Sequence, residues 1–257
     1  MTRWLAIWMP FLASLARAEK PGHDLALAGV TEFTAAYEAW DENRFRKAAE
    51  LFRQATTSAP ASAACFYWLG VAEFHRMLRL QNPPIPPTDP DAAYAAMDTA
   101  IAALTRAVKL DPRHAESHAL LGTLYGMKIE GNLLRAVRFG PRVDKHRRQA
   151  LAHGQDNPRV QYLLGACQFH TAKKPEGLRE ALTTLLKAEK LFDAEAKAAH
   201  GPLEPQWGCS SCLMFIGRAY EKLGQHNEAA DYYRKALARQ PADHLARQGL
   251  MRVTKGK

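Results

Sequence analysis

The stretch LMFIGRAYEKLGQHNEAADYYRKALARQP, residues 213–241, decides the fold. Leu213, Ile216, Gly217 and Tyr220 recur at helical spacing, and Ala229, Tyr233 and Ala236 repeat the pattern before Pro241 closes the segment. Residues three and four apart share one helix face, so the stretch predicts two helices joined by a turn, in a unit of about 34 residues. A single hairpin of that length cannot bury its own apolar face, and such units therefore stack into arrays.

Earlier units can be phased from the residue that closes one hairpin and the glycine that lets two helices approach in the next. Pro60 and Gly70 are ten residues apart, as are Pro112 and Gly122, Gln155 and Gly165, and Trp207 and Gly217. Outward from these junctions the second helices show Ala48, Phe52, Ala55, Pro60 and Ala100, Leu104, Ala107, Pro112. That small-large-small seam is weakest in the third unit, where Val143 and Arg147 stand in its place. The first helices show Phe66, Leu69, Gly70, then Leu121, Gly122, Tyr125, then Leu164, Gly165. On these residues the chain resembles the tetratricopeptide repeat (TPR) family. The resemblance implies an all-α, right-handed superhelical solenoid of about five helix-turn-helix repeats over residues 29–241. Its repeats are expected at about 29–62, 63–114, 115–157, 158–209 and 210–241, after a linker at 19–28 and before a capping helix and tail at 242–257.

Successive repeat glycines, at 70, 122, 165 and 217, lie 52, 43 and 52 residues apart, so three repeats carry extra residues. Asn82–Pro90 is too rich in proline for a helix and predicts a polyproline-like loop. Gly126–Pro141 is expected to form a longer turn. The second helix of the fourth repeat is expected to run to about His200, ahead of the Gly201–Gly208 loop.

Residues 1–18 hold Arg3, an apolar run from Trp4 to Leu15, and Ala16-Arg17-Ala18, the layout of a secretory signal peptide. The run is short for a bilayer span. A periplasmic or secreted location is therefore expected, with a retained leader as the alternative. The chain carries 35 Lys and Arg against 26 Asp and Glu. From Glu19 onward the balance is +7, since Arg3 and Arg17 are left behind. Arg135, Arg138, Arg142, Lys145, Arg147 and Arg148 concentrate part of that charge. They are a solvated helix face or a peripheral contact with a membrane or acidic surface. Nucleic acid is not expected, because the stretch lacks interleaved aromatics for stacking.

The resemblance implies a partner-binding hollow lined by the first helix of each repeat. Carried over position by position, it assigns Phe33, Tyr37 and Trp40; Tyr67, Phe74 and His75; Thr123 and Met127; Tyr162, Phe169 and His170; and Met214, Arg218, Glu221 and Lys222. The recurrence of Tyr67-x6-Phe74-His75 as Tyr162-x6-Phe169-His170 suggests a ladder of aromatic anchors, or alternatively rings packed between repeats. The Lys, Asn and Arg clamp of the chaperone-binding TPR subset is missing, so that function is not carried over.

Cys65 and Cys167 fall within helices and read as small core residues. Cys209 and Cys212 stand where a loop enters the last repeat, and a helix N-terminus there favours thiolate. The pair is expected to be a structural disulfide or free thiols, with redox or soft-metal work as alternatives. His114 and His118 share a helix face, but no third ligand is evident and both are expected at the surface. No serine elbow, zincin, phosphate loop or dinucleotide motif is present. No cofactor or resident metal is expected. The sequence thus points to a non-catalytic adaptor for a protein or peptide partner. Its alternatives are a thiol or metal-handling envelope protein and a binder of small hydrophobic ligands.

Overall fold

The computed structural model describes the backbone of residues 9–84 and 87–255, and the side chains from Pro21 onward. Its described residues form eleven helices and no strand. Five consecutive hairpins pair α1 (Met9–Ala39) with α2 (Glu42–Ser58), α3 (Ala63–Gln81) with α4 (Pro90–Leu110), α5 (Ala115–Ile129) with α6 (Leu133–Gly154), α7 (Pro158–Thr171) with α8 (Pro175–Glu195), and α9 (Cys209–Lys222) with α10 (His226–Arg239). The last helix, α11 (His244–Thr254), covers the end of the fifth hairpin. Helix starts are set by short polar side chains. Asp41, Ser62, Asp89, Asn132, Asn157 and Asp243 each accept a first-turn backbone N–H, which satisfies donors the helix leaves open.

The hairpin seams are as tight as the phasing implies. A Cβ on Gly70 would lie 2.4 Å from Leu104 Cγ, and one on Gly165 would lie 2.7 Å from Leu185 Cγ. Ala48, Phe52, Ala55, Ala100, Leu104 and Ala107 are all buried. The third hairpin is the exception. A Cβ on Gly122 would meet nothing nearer than 3.7 Å, because Arg147 stands where a large apolar residue fills the other seams. A cavity of about 60 Å³ lies there between α5, α6 and α7, lined by Gly122, Val143, Ala150, Val160 and Leu163.

Three expected boundaries change. Residues 19–28 are not a linker but part of α1, because Gly22, Ala26 and Gly29 form a small-residue stripe buried along it. A Cβ on Gly22 or Gly29 would come within 2.7 Å of Ala59 or 2.6 Å of Phe52. The long turn expected at 126–141 is only the connection between Ile129 and Leu133. Glu130 and Gly131, at φ 46 and 72, complete it. Pro141 sits inside α6, where the carbonyl it leaves unpaired belongs to Val137, a residue 72% exposed to solvent. Helix α8 ends at Glu195, short of His200. Residues 1–8 of the expected leader and residues 85 and 86 of the proline-rich loop lie outside the described residues.

Candidate functional site

The array curls until its first hairpin meets its fifth. The Tyr37 hydroxyl lies 3.0 Å from Ser210 Oγ and 3.1 Å from Ser211 Oγ, and accepts the Gly208 N–H at 3.3 Å. The Gln240 amide donates to the Tyr37 carbonyl at 2.5 Å while accepting from Ser210 Oγ at 2.8 Å. Ordinary solenoids hold only neighbouring repeats together; here residues far apart in sequence close the turn.

The connection between α8 and α9 occupies the hollow so formed. Trp207 is 2% exposed; its indole N–H donates to Tyr67 Oη at 3.0 Å, and its ring stands edge-on to His75 at 5.1 Å. The Trp68 indole donates to the Leu203 carbonyl at 2.9 Å. Gly208 turns the chain into α9 at φ +105, a conformation L side chains rarely adopt, and a Cβ there would press on Phe192 at 3.1 Å. Below lies a buried polar network. Arg159, 3% exposed, reaches Glu116 at 2.8 Å, Glu195 at 2.9 Å and the Trp207 carbonyl at 3.4 Å. Glu116 also accepts from the Tyr67 hydroxyl and, at 2.8 Å, from Asn157. Burial, then the Glu116 carboxylate, push the Tyr67 phenol well above its ordinary range. Burial opposes the charge on Arg159, yet Glu116 and Glu195 hold its guanidinium above the usual value.

This closure corrects the expected open groove. Phe33, Tyr67, Phe74, His75, Tyr162, Phe169 and Met214 are all buried, so the aromatic ladder is largely core. His75 is packed among Phe33, Phe45, Phe74 and Trp207, and burial pushes its imidazole down to about 4. Lys222 and Arg218 lie over the Phe169 ring at 4.5 and 4.8 Å. The positional carry-over indicates which way these side chains point but not that the chain fills its own hollow.

What remains open is a cleft of about 320 Å³ at the mouth of the hollow. Every hairpin contributes to it: Trp40 from the first, Leu78 from the second, Met127 from the third, Tyr162 and His170 from the fourth, Met214, Phe215 and Arg218 from the fifth, with His244 from the cap. Six of the expected groove residues therefore converge here, while Leu78, Phe215 and His244 are not among those expected. Phe215 falls one place beyond Met214 in the positional scheme, and His244 lies in the cap, outside it. Trp40 holds φ 52, a strained setting for a bulky residue, and Arg79 donates to its carbonyl at 2.8 Å. Arg218 stacks over Phe215 at 5.1 Å, and burial lowers its pKa. His244 Nδ1 is buried without a hydrogen-bond partner. Burial, then the cationic Arg218, lower the His170 pKa. Apolar and aromatic walls, the Arg218 guanidinium, the Asp243 carboxylate, the amides of Gln81, Asn82 and Gln240 and the unsatisfied imidazole nitrogen of His244 suit an amphipathic side chain.

All four cysteines are free thiols. Cys209 and Cys212 lie in the first turn of α9, but burial raises both pKa values, Cys212 strongly, and Cys212 donates to the Leu185 carbonyl at 3.5 Å. Burial therefore works against the thiolate that the helix N-terminus is expected to favour. The His pair is also not at the surface as expected. His114 caps α5, and His118, 5% exposed, places Nδ1 2.9 Å from His146 Nδ1, so one imidazole donates to the other. No group of three or more metal-ligating side chains occurs among the described residues.

Two segments, residues 210–243 and 33–77, match the sequence profile of the tetratricopeptide repeat. No curated protein matches the chain. Among solved structures, it resembles a thermophilic TPR protein of Thermus thermophilus at TM-score 0.63 and 16% identity, over 90% of this chain and 98% of that one. It also resembles the APC/C hetero-tetramer Cut9-Hcn1 at TM-score 0.58 and 18% identity, over 94% of this chain and 40% of that one. Arrays of this kind serve in general as scaffolds for protein interaction. With five helix pairs and profile matches over residues 33–77 and 210–243, the chain is a tetratricopeptide-repeat protein with the solenoid fold of that repeat.

Proposed function

We propose that this protein is a non-catalytic adaptor that holds a partner segment by one anchor side chain in the mouth cleft. The observation that carries the proposal is the convergence of Trp40, Met127, Tyr162, Phe215 and Arg218, from four separate hairpins, around about 320 Å³. That volume admits one or two side chains, and a few buried aromatic or apolar anchors supply most of the energy of an interface. The covered aromatic ladder leaves less apolar surface than an open groove, which favours a short anchor over a long extended peptide. An envelope location belongs to the same proposal and rests on the signal-like layout of the sequence at residues 1–18.

Peptides selected from a random library on the wild-type protein provide the test. Their binding, followed by fluorescence anisotropy, should weaken on the order of thirtyfold in Met127→Glu if the anchor enters the cleft. Peptides that bind this variant as well as the wild type would refute the proposal. A second reading, a small amphipathic ligand, is favoured by the cleft volume alone, which lies near the lower end for small-molecule sites. A screen that returns small amphiphiles and no peptide, with the same loss in Met127→Glu, would select it.

A further inference from the structure

Helix α6 differs from the other helices in ways that share one explanation. It buries only Ala150 along its 22 residues. Its first turns carry Leu133, Leu134 and Val137 at 79, 81 and 72% exposure, above every other large hydrophobic residue described. At 3.6 residues per turn these three share a face with Arg138, and the face continues through Lys145 and Arg148. A side chain at Gly140 would meet nothing within 4 Å, so the surface there is an open ridge, and on its flank Leu134 and Arg138 border a shallow cleft of about 410 Å³ with Tyr94 and Lys128.

The charge on this ridge is largely uncompensated. Arg135 pairs with Glu130, and Asp144 is shared by Arg147 and Arg148. Arg138 and Arg142 lie over the Phe139 and Tyr125 rings at 5.3 Å, and among the described residues no carboxylate pairs with either of them or with Lys145. We infer that α6 is a peripheral contact with an anionic phospholipid surface, in which Leu133, Leu134 and Val137 enter the acyl boundary while Arg138, Arg142 and Lys145 meet headgroup phosphates.

A bilayer offers a plane of negative charge with hydrocarbon beneath it, which is the order in which a ridge of this composition needs them. An acidic protein surface would satisfy the arginines but set the two leucines against charged groups. A soluble array tolerates scattered apolar residues, yet three on adjacent turns beside unpaired cations mark an interaction surface.

Sedimentation of the full-length chain with phosphatidylcholine vesicles, with and without phosphatidylglycerol, tests the inference. Binding should require phosphatidylglycerol and fall at high salt. Each cation near the surface is worth roughly fivefold, so Arg138→Gln/Arg142→Gln/Lys145→Gln should weaken binding on the order of a hundredfold. Leu133→Ser/Leu134→Ser should weaken it as well, whereas Arg179→Gln, an exposed control on α8, should not. All these positions are exposed, and circular dichroism verifies that the variants fold. Equal binding by all variants would overturn the inference and assign any membrane affinity to the apolar run at residues 4–15. Failure to bind either vesicle, with binding to poly-L-glutamate retained, would overturn it in favour of an acidic protein surface.

Discussion

Trp207→Ala should destabilise the protein by about 3–5 kcal/mol, the range for removing a large aromatic side chain from a packed core. A buried aromatic side chain covers roughly 150–250 Å², and at about 25 cal/mol per Å² that corresponds to ~4–6 kcal/mol before the alanine's own share is deducted. Two losses make collapse of the site difficult: the His75 ring loses its edge-on partner, and Tyr67 Oη loses the indole donor. Trp207→Phe separates these effects, since it keeps most of the ring volume but leaves Tyr67 short of one bond, for roughly 1–2 kcal/mol. Urea unfolding followed by far-UV circular dichroism measures both, independently of the fluorophore that the substitution removes. Hydrogen exchange should show where the loss is felt, with amides of α1, α3 and α9 opening earlier because Trp207 ties the start of α9 to α3 and the adjoining Gly208 ties it to α1. A cost below about 1 kcal/mol for Trp207→Ala, with unchanged exchange in α1, α3 and α9, would refute the account of the 201–208 connection as core.

Gly70→Ala should cost about 1–3 kcal/mol because its Cβ would overlap Leu104 Cγ, whereas Gly122→Ala, with nothing nearer than 3.7 Å, should gain up to about 1 kcal/mol of helix propensity; paired urea curves test the contrast. Arg159→Met should cost about 3–5 kcal/mol by leaving Glu116 and Glu195 without their shared cation, and equal stability of the variant would show the network to be idle. His75, held at about 4 when folded against 6.5 in the unfolded chain, stabilises fully above pH 6.5 and loses that contribution as pH falls toward 4. Its share of the loss between pH 7 and 5 is roughly 2 kcal/mol, so His75→Phe should flatten the pH dependence of the unfolding free energy from urea curves by that amount.

The sequence discloses the hairpins because their signal is local. Gly70 and Leu104, or Gly217 and Tyr233, meet across one turn, so composition at fixed offsets reports packing directly. The third hairpin is legible for the same reason: Arg147 in the seam announces the loose contact that the structure places beside Gly122. The turn at 126–141 is misplaced because Pro141 reads as a helix breaker, though a proline whose unpaired carbonyl faces solvent is tolerated. The groove is less legible. Positions such as Tyr67, Phe74 and Phe169 point into the hollow in any array of this kind, but whether they meet a ligand or the chain itself depends on contacts between residues more than a hundred apart, such as Trp207 with Tyr67. No periodicity carries that information.

The added residues explain why the array closes. A repeat unit of uniform length would stack with a constant small rotation and leave its two ends independent. Here the lengthened fourth repeat supplies a segment that crosses the hollow, and Trp207 then meets the second hairpin while Gly208 meets the first. Closure removes most of the concave surface from use and gathers the remainder at one mouth, where Trp40 and His244 from opposite ends of the chain line the same cleft. The residues that fit the family pattern therefore build the scaffold, and those that depart from it, the 201–208 connection and the exposed half of α6, determine which of its surfaces remain free to bind.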